Sequence, residues 1–209
     1  MAQHLLFDLD GTLIDSSASI LASFSAALTI SGVEPAVSLS PALIGPPVRQ
    51  TLARIAGSDD PDLIDRLFHH FRQQYDEEGY RKTLVYPGID AVLRGLAKAG
   101  KSMYIVTNKR AVPTLLIMDM FGWTGLFKSI HALDAGSRQF AGKSDLVGYL
   151  IDEHSMDSAD TILIGDTAED AEAAHQNNLR FYGVAWGYGG LTKSNNMRVL
   201  ETPEEILAV

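Results

Sequence analysis

The sequence has no cysteine. That excludes a disulfide framework, a thiolate nucleophile and a Cys-ligated zinc centre. It also lacks a basic surplus: 17 Lys and Arg stand against 26 Asp and Glu, for a net charge of −9. Without a basic stripe to neutralise phosphates, nucleic acid is not expected as a partner. No stretch approaches about 20 uninterrupted apolar residues, so no membrane-spanning helix and no membrane partner are expected. The start lacks the basic segment of a signal peptide, and its apolar run stops at Asp8, so a cytoplasmic location is expected. Internal repeats and low-complexity tracts are also missing. What remains is 209 residues, 46% hydrophobic and 21% charged, enough for a large core in one domain or in a domain carrying an insertion.

The chain is organised around Leu5-Leu6-Phe7-Asp8-Leu9-Asp10-Gly11-Thr12. A short apolar run bounded by a turn residue reads as a buried strand. It ends in two carboxylates at i and i+2, and strand ends are where open α/β sheets bind ligands. Like charges at such a place are costly, and a divalent cation removes the cost.

Beyond this point the periodicity turns helical. A helix fits from Ser16 or Ser17 to about Ser31, stopped by Gly32. A second fits from Pro47 through Ile55 after the Gly45-Pro46-Pro47 breaker. A third runs from about Pro61 to Glu78, with Leu63, Leu67, Phe71 and Tyr75 on one stripe. From Val85 onward strands and helices alternate. Strands are expected at Ser102–Val106, Ser129–Leu133, Thr161–Ile164 and Arg180–Ala185. Helices are expected at Ile89–Ala99 and Val112–Phe121, from Lys143 or Ser144 to Glu153, and at Ala171–Asn177. Alternation implies a parallel sheet covered on both faces. The expected fold is therefore α/β, a doubly wound parallel sheet, with residues 1–15 and 85–209 as the α/β core and residues 16–84 as an inserted α-helical domain. Gly187-Tyr188-Gly189-Gly190 reads as a glycine-rich turn, because no strand-then-helix context surrounds it for a dinucleotide fingerprint.

Parallel strands bring their ends to one crevice. Those ends carry Asp8 and Asp10, then Thr107 and Asn108, then Asp166 and Asp170, while Lys143 opens a helix. Three carboxylates suit Mg²⁺, which prefers oxygen ligands. A hydroxyl, a backbone amide and an ammonium suit a phosphate.

In this order the sequence resembles the haloacid dehalogenase superfamily of phosphatases, through Asp8-Leu9-Asp10-Gly11-Thr12, Thr107, Lys143 and Gly165-Asp166-Thr167-Ala168-Glu169-Asp170. A helical cap after the first motif is the arrangement of its phosphoglycolate phosphatase-like and β-phosphoglucomutase-like branch. The resemblance implies an Mg²⁺-dependent phosphomonoester hydrolase acting on a small phosphorylated metabolite, with a phosphoglycolate-like substrate favoured. It implies Asp8 as nucleophile, forming an aspartyl-phosphate, and Asp10 as general acid and base that also lends its backbone carbonyl to the metal. Asp166 would be a direct ligand and Asp170 a support behind it. Thr107, the amide of Asn108 and Lys143 would hold the phosphoryl group. Lys109 and Lys128 compete with Lys143 for the cationic role, since Ser144 follows Lys143 where many relatives have proline.

Asp10 argues against a dehalogenase, whose members usually lack the second carboxylate. Residues 16–80 contain no lysine, which argues against a phosphonatase with a Schiff-base lysine in its cap. A sugar phosphomutase and a non-catalytic phospho-ligand binding protein are the alternatives. Ile44-Gly45-Pro46-Pro47-Val48-Arg49 resembles the cap loop of phosphoglycolate phosphatases, so Arg49 is expected to face the crevice and read an anionic group on the substrate. The expected oligomeric state is monomer or homodimer.

Overall fold

The computed structural model describes residues 2–192 and 197–209. Strand β1 (His4–Phe7) lies inside a six-stranded sheet with β4 (Ser102–Thr107) and β6 (Thr161–Gly165) on its two sides. Outside these lie β5 (Ser129–Ala132) on one edge, then β7 (Arg180–Val184) and β8 (Arg198–Leu200) on the other. Every pairing in this sheet is parallel, as the strand–helix alternation implies.

The period of two along β1 divides the core. Leu5 and Phe7 join Met103, Ile105, Ile162 and Ile164 on one face, against residues of α4 (Ile89–Lys98) and α5 (Ala111–Met120). Leu6 joins Tyr104, Val106 and Leu163 on the other, against α6 (Lys143–Glu153) and α7 (Ala168–Gln176). Burial on both faces is why these strands read as unbroken apolar runs.

Between the two-residue strands β2 (Ile14–Asp15) and β3 (Leu84–Val85) the chain is helical: α1 (Ser17–Ser31), α2 (Val48–Ala56), α3 (Pro61–Glu77) and short 3₁₀ turns. Phe24 of α1 stacks on Phe71 of α3 at 4.8 Å, and Phe71 on Tyr75 at 5.6 Å. Strands β2 and β3 pair antiparallel, Ile14 with Val85 and Asp15 with Leu84, so the chain leaves and re-enters the sheet domain through one ribbon. That ribbon and β8 are absent from the sequence reading, because two or three residues carry no readable period. Helix α7 starts at Ala168 rather than Ala171. Thr167 caps it in a reciprocal capping box with Asp170, which claims one more turn of chain. Among the described residues, no helix is long and apolar enough to cross a membrane.

Candidate active site

Asp8 follows the last residue of β1, and its N–H still donates to the Ile164 carbonyl at 2.9 Å. The sheet therefore fixes its backbone at the carboxyl end of the central strands. The chain then turns back. The Leu9 carbonyl accepts the N–H groups of Thr12, Leu13 and Ile14, and Gly11 takes a φ of 87°. A Cβ at Gly11 would lie 2.4 Å from an oxygen of Asp166, so conformation and space both require glycine.

Asp8, Asp166 and Asp170 are all buried, and each offers a carboxylate oxygen within 4.8 Å of the others. Lys143, the first residue of α6, donates to Asp8 Oδ1 at 2.5 Å and also to Asp170. The remaining oxygen of Asp170 accepts from the Thr167 N–H and hydroxyl, so its own partners are supplied by the capping box and Lys143. Asp166 Oδ2 accepts from the N–H groups of Tyr188 and Gly189 at 2.7 and 3.2 Å. The glycine-rich turn thus closes directly on Asp166. A Cβ at Gly187 would meet the Asp166 Cβ at 2.2 Å, and one at Gly189 would meet its carbonyl oxygen at 2.0 Å.

Three carboxylates share one ammonium here, and the electrostatics follow. Burial pushes Asp8 well above the usual carboxylate range; Lys143 opposes this, and Asp170 and Asp166 add to it. Asp166 is pushed up to about 6 by burial and by Asp170. Burial alone would pull Lys143 down, but Asp170 and Asp8 more than reverse it and hold the ammonium charged. A buried, all-oxygen cluster with more negative than positive charge fits a hard divalent cation such as Mg²⁺.

Asp10 faces the other way. Its carboxylate accepts from Lys109 Nζ at 3.0 and 3.1 Å and from the Ser16 hydroxyl. Lys109 is buried, and its Nζ also meets the Tyr75 hydroxyl of α3 at 2.7 Å. Lys143 and Lys109, rivals in the sequence, therefore divide the carboxylates: Lys143 takes Asp8 and Asp170, and Lys109 takes Asp10. Thr107 ends β4, and its hydroxyl accepts from the Lys109 N–H at 3.1 Å. The Asn108 side-chain nitrogen donates to the Gly45 carbonyl at 2.8 Å and to Glu169 at 2.9 Å, joining the insertion to α7; its buried Oδ1 has no hydrogen-bond partner among the described residues. Lys128 is exposed and is not among the residues lining the crevice.

Asp8, Asp10, Thr107, Asn108 and Lys143 line one crevice, roofed by apolar side chains that include Ile20, Phe24, Ile44 and Phe71. Arg49 does not join them. Its exposed guanidinium pairs with Asp65 and lies 4.2 Å over the Phe68 ring. The inward stripe of α2 is Val48, Thr51, Leu52 and Ile55, and one residue along a helix is a turn of about 100°. Val48 therefore looks into the crevice and Arg49 looks out. Tyr75 and the Gly187–Gly190 turn are site elements that the sequence reading used only as a packing stripe and a loop. Lys109 carried a signal, its place directly after Thr107-Asn108, but nothing in the sequence points to Asp10 as its partner.

A family model described as haloacid dehalogenase-like hydrolase matches residues 5–184. A 5'-nucleotidase of Pseudomonas aeruginosa is 30% identical over 89% of this chain and 84% of its own length. A phosphoglycolate phosphatase of Psychrobacter arcticus is 29% identical over the same shares. Among solved structures, a predicted phosphatase from Clostridium acetobutylicum superposes with a TM-score of 0.87 at 27% identity, covering 100% of both chains.

Proposed function

The chain belongs to the haloacid dehalogenase-like hydrolases, and from that premise we infer that this phosphatase cleaves small phosphate monoesters through an aspartyl-phosphate formed on Asp8. The observation that carries this reading is the pairing of Asp8 with Lys143 beside Asp166 and Asp170, while Asp10 stands two residues on, under an apolar roof.

Asp8 Oδ1 is held by Lys143, which leaves Oδ2 to attack phosphorus. The new O–P bond forms as the ester O–P bond breaks. Asp10 gives its proton to the departing oxygen, then takes one from the water that cleaves the acyl phosphate. Thr107, the Asn108 main-chain N–H and Lys143 hold the phosphoryl oxygens. Asp8, Asp166 and the Asp10 main-chain carbonyl would hold Mg²⁺, with Asp170 behind them. When bound, the ion offsets the repulsion between carboxylate and phosphate dianion. Residues 16–84 act as a cap that delivers the leaving group and excludes bulk water.

For the substrate, a phosphoglycolate-like compound remains the first candidate, by likeness to the Psychrobacter enzyme. A nucleoside monophosphate is favoured by a separate observation. The crevice wall carries Phe24, Phe71 and Tyr75, and the cap arginine expected to read an anionic group on the substrate, Arg49, lies outside it. Turnover of phosphoglycolate, nucleoside 5'-monophosphates and an aryl phosphate, with and without Mg²⁺, separates the two. Asp8→Asn is expected to lose activity on all of them by on the order of 10⁴-fold or more. Hydroxylamine-labile phosphate should accumulate on Asp10→Asn and never on Asp8→Asn. Metal-independent turnover, or an active Asp8→Asn enzyme, removes the mechanism.

A further inference from the structure

Among the described residues, a second group of side chains besides the crevice carboxylates brings three ligand atoms within 4.8 Å: His131, Glu153 and His154. His131 lies on the edge strand β5, Glu153 is the last residue of α6, and His154 caps that helix. Lys143 opens the same helix in the crevice, so about 15 Å of helix separates the two sites. The activity inferred above uses none of these three residues.

The three ligand atoms cluster beside one hydroxyl. His131 Nε2 and His154 Nε2 lie 2.7 and 3.1 Å from the same Ser129 hydroxyl. Glu153 Oε2 lies 3.6 and 3.8 Å from those two nitrogens, too far for a hydrogen bond to either ring. Donors around a tetrahedral ion at bond lengths of about 2.0–2.1 Å stand roughly 3.4 Å apart, close to the 3.6 and 3.8 Å between Glu153 Oε2 and the two nitrogens. The other oxygen, Glu153 Oε1, accepts from the Tyr149 hydroxyl at 2.8 Å, which turns Oε2 toward the rings. Such a support behind a ligand is the usual companion of a metal centre. Tyr104 and Tyr149 pack against the imidazoles and fix their planes. Burial also disfavours the charged form of His131, although Glu153 opposes this, and neutral imidazole is the ligating form.

We propose that His131, Glu153 and His154 form a second metal site, for a borderline transition ion such as Zn²⁺, that pins the end of α6 to the edge strand β5. Two imidazoles and one carboxylate suit Zn²⁺ and not Mg²⁺, whose preference is for oxygen. A solvent water or the Ser129 hydroxyl completes four donors.

The test is calorimetric titration of the full-length protein with Zn²⁺ in excess Mg²⁺. Four chains are compared: the parent, Asp166→Asn, His131→Gln and His154→Gln. The parent and Asp166→Asn should each take up one Zn²⁺. Both histidine variants should bind it about tenfold or more weakly, with aryl phosphate turnover in Mg²⁺ unchanged. Should His131→Gln fail to fold, His154→Gln and Glu153→Gln carry the comparison at more exposed positions. No uptake by the parent overturns the proposal. So does uptake that is lost in Asp166→Asn and kept in the histidine variants, since the ion then sits among the crevice carboxylates.

Discussion

Lys109 reaches Asp10 from 99 positions along the chain, and both side chains are nearly sealed from solvent. Removing one partner of such a pair costs about 3–5 kcal/mol, because the other charge is left buried and alone. Lys109→Met keeps the stem and removes the ammonium. Steady-state turnover of an aryl phosphate should then show kcat down by about 10²-fold, since Asp10 loses the contact that aims it. Tyr75→Phe removes only the hydroxyl on the far side of Nζ and should lose less. Unchanged kcat in Lys109→Met would show that Asp10 needs no such support. The contrast with Asp8 and Asp10 marks what a sequence carries at this scale. Two carboxylates at i and i+2 behind an apolar strand are local, and so is a lysine at a helix start. The Lys109–Asp10 pair is not, because it depends on β1 and β4 lying side by side. Arg49 shows the same limit in reverse. The helix α2 was legible, but which of its residues face the crevice depends on how α2 packs against α3.

At the scale of elements, the turn over residues 187–190 does more than connect β7 to β8. It delivers two N–H groups to Asp166, and it can come that close only because Gly187 and Gly189 have no side chains. At Gly189 the obstacle is the Asp166 carbonyl oxygen, 2.0 Å from where a Cβ would sit, and backbone cannot swing aside as a flexible side chain can. Gly189→Ala should therefore push the turn off Asp166 and weaken Mg²⁺ activation by about 10–100-fold, as removal of a support behind a ligand does. Gly125 has nothing within 4 Å of its would-be Cβ and no positive φ, so Gly125→Ala is the matched control. Its stability should stay within about 0.5 kcal/mol of the parent. A Mg²⁺ titration of activity distinguishes the two, and equal activation constants would dismiss the role given to the turn. The longer elements were legible from period alone: α1 and α3 from i+4 stripes, and β1, β4 and β6 from runs buried on two faces. The β2–β3 ribbon and β8 escaped, and the turn was legible as a turn but not as a partner of Asp166, because these features are fixed by what they touch.

For the whole molecule, the crevice sets stability against function. Burial holds Asp8 above the ordinary carboxylate range and takes Asp166 to about 6, against an ordinary value of 3.8. A carboxyl raised in this way binds its proton more tightly folded than unfolded. Its favourable contribution is therefore complete below the unfolded value of 3.8 and is lost as pH climbs through about 6. Asp15, where hydrogen bonds from Ser17 outweigh burial, and Asp90, bonded to Arg94 and Trp123, are lowered and act in the opposite sense. Comparing the parent with Asp166→Asn cancels those terms. In chelator, the variant should match the parent near pH 4 and exceed it at pH 7 by a few kcal/mol, read from denaturant midpoints. Mg²⁺ should erase the difference, because an ion that binds only the folded chain stabilises it by mass action and the variant has lost a ligand. Equal Mg²⁺-induced shifts in parent and variant at pH 7 would mean that Asp166 does not hold the ion, and that the carboxylate cluster bears its strain for some other reason.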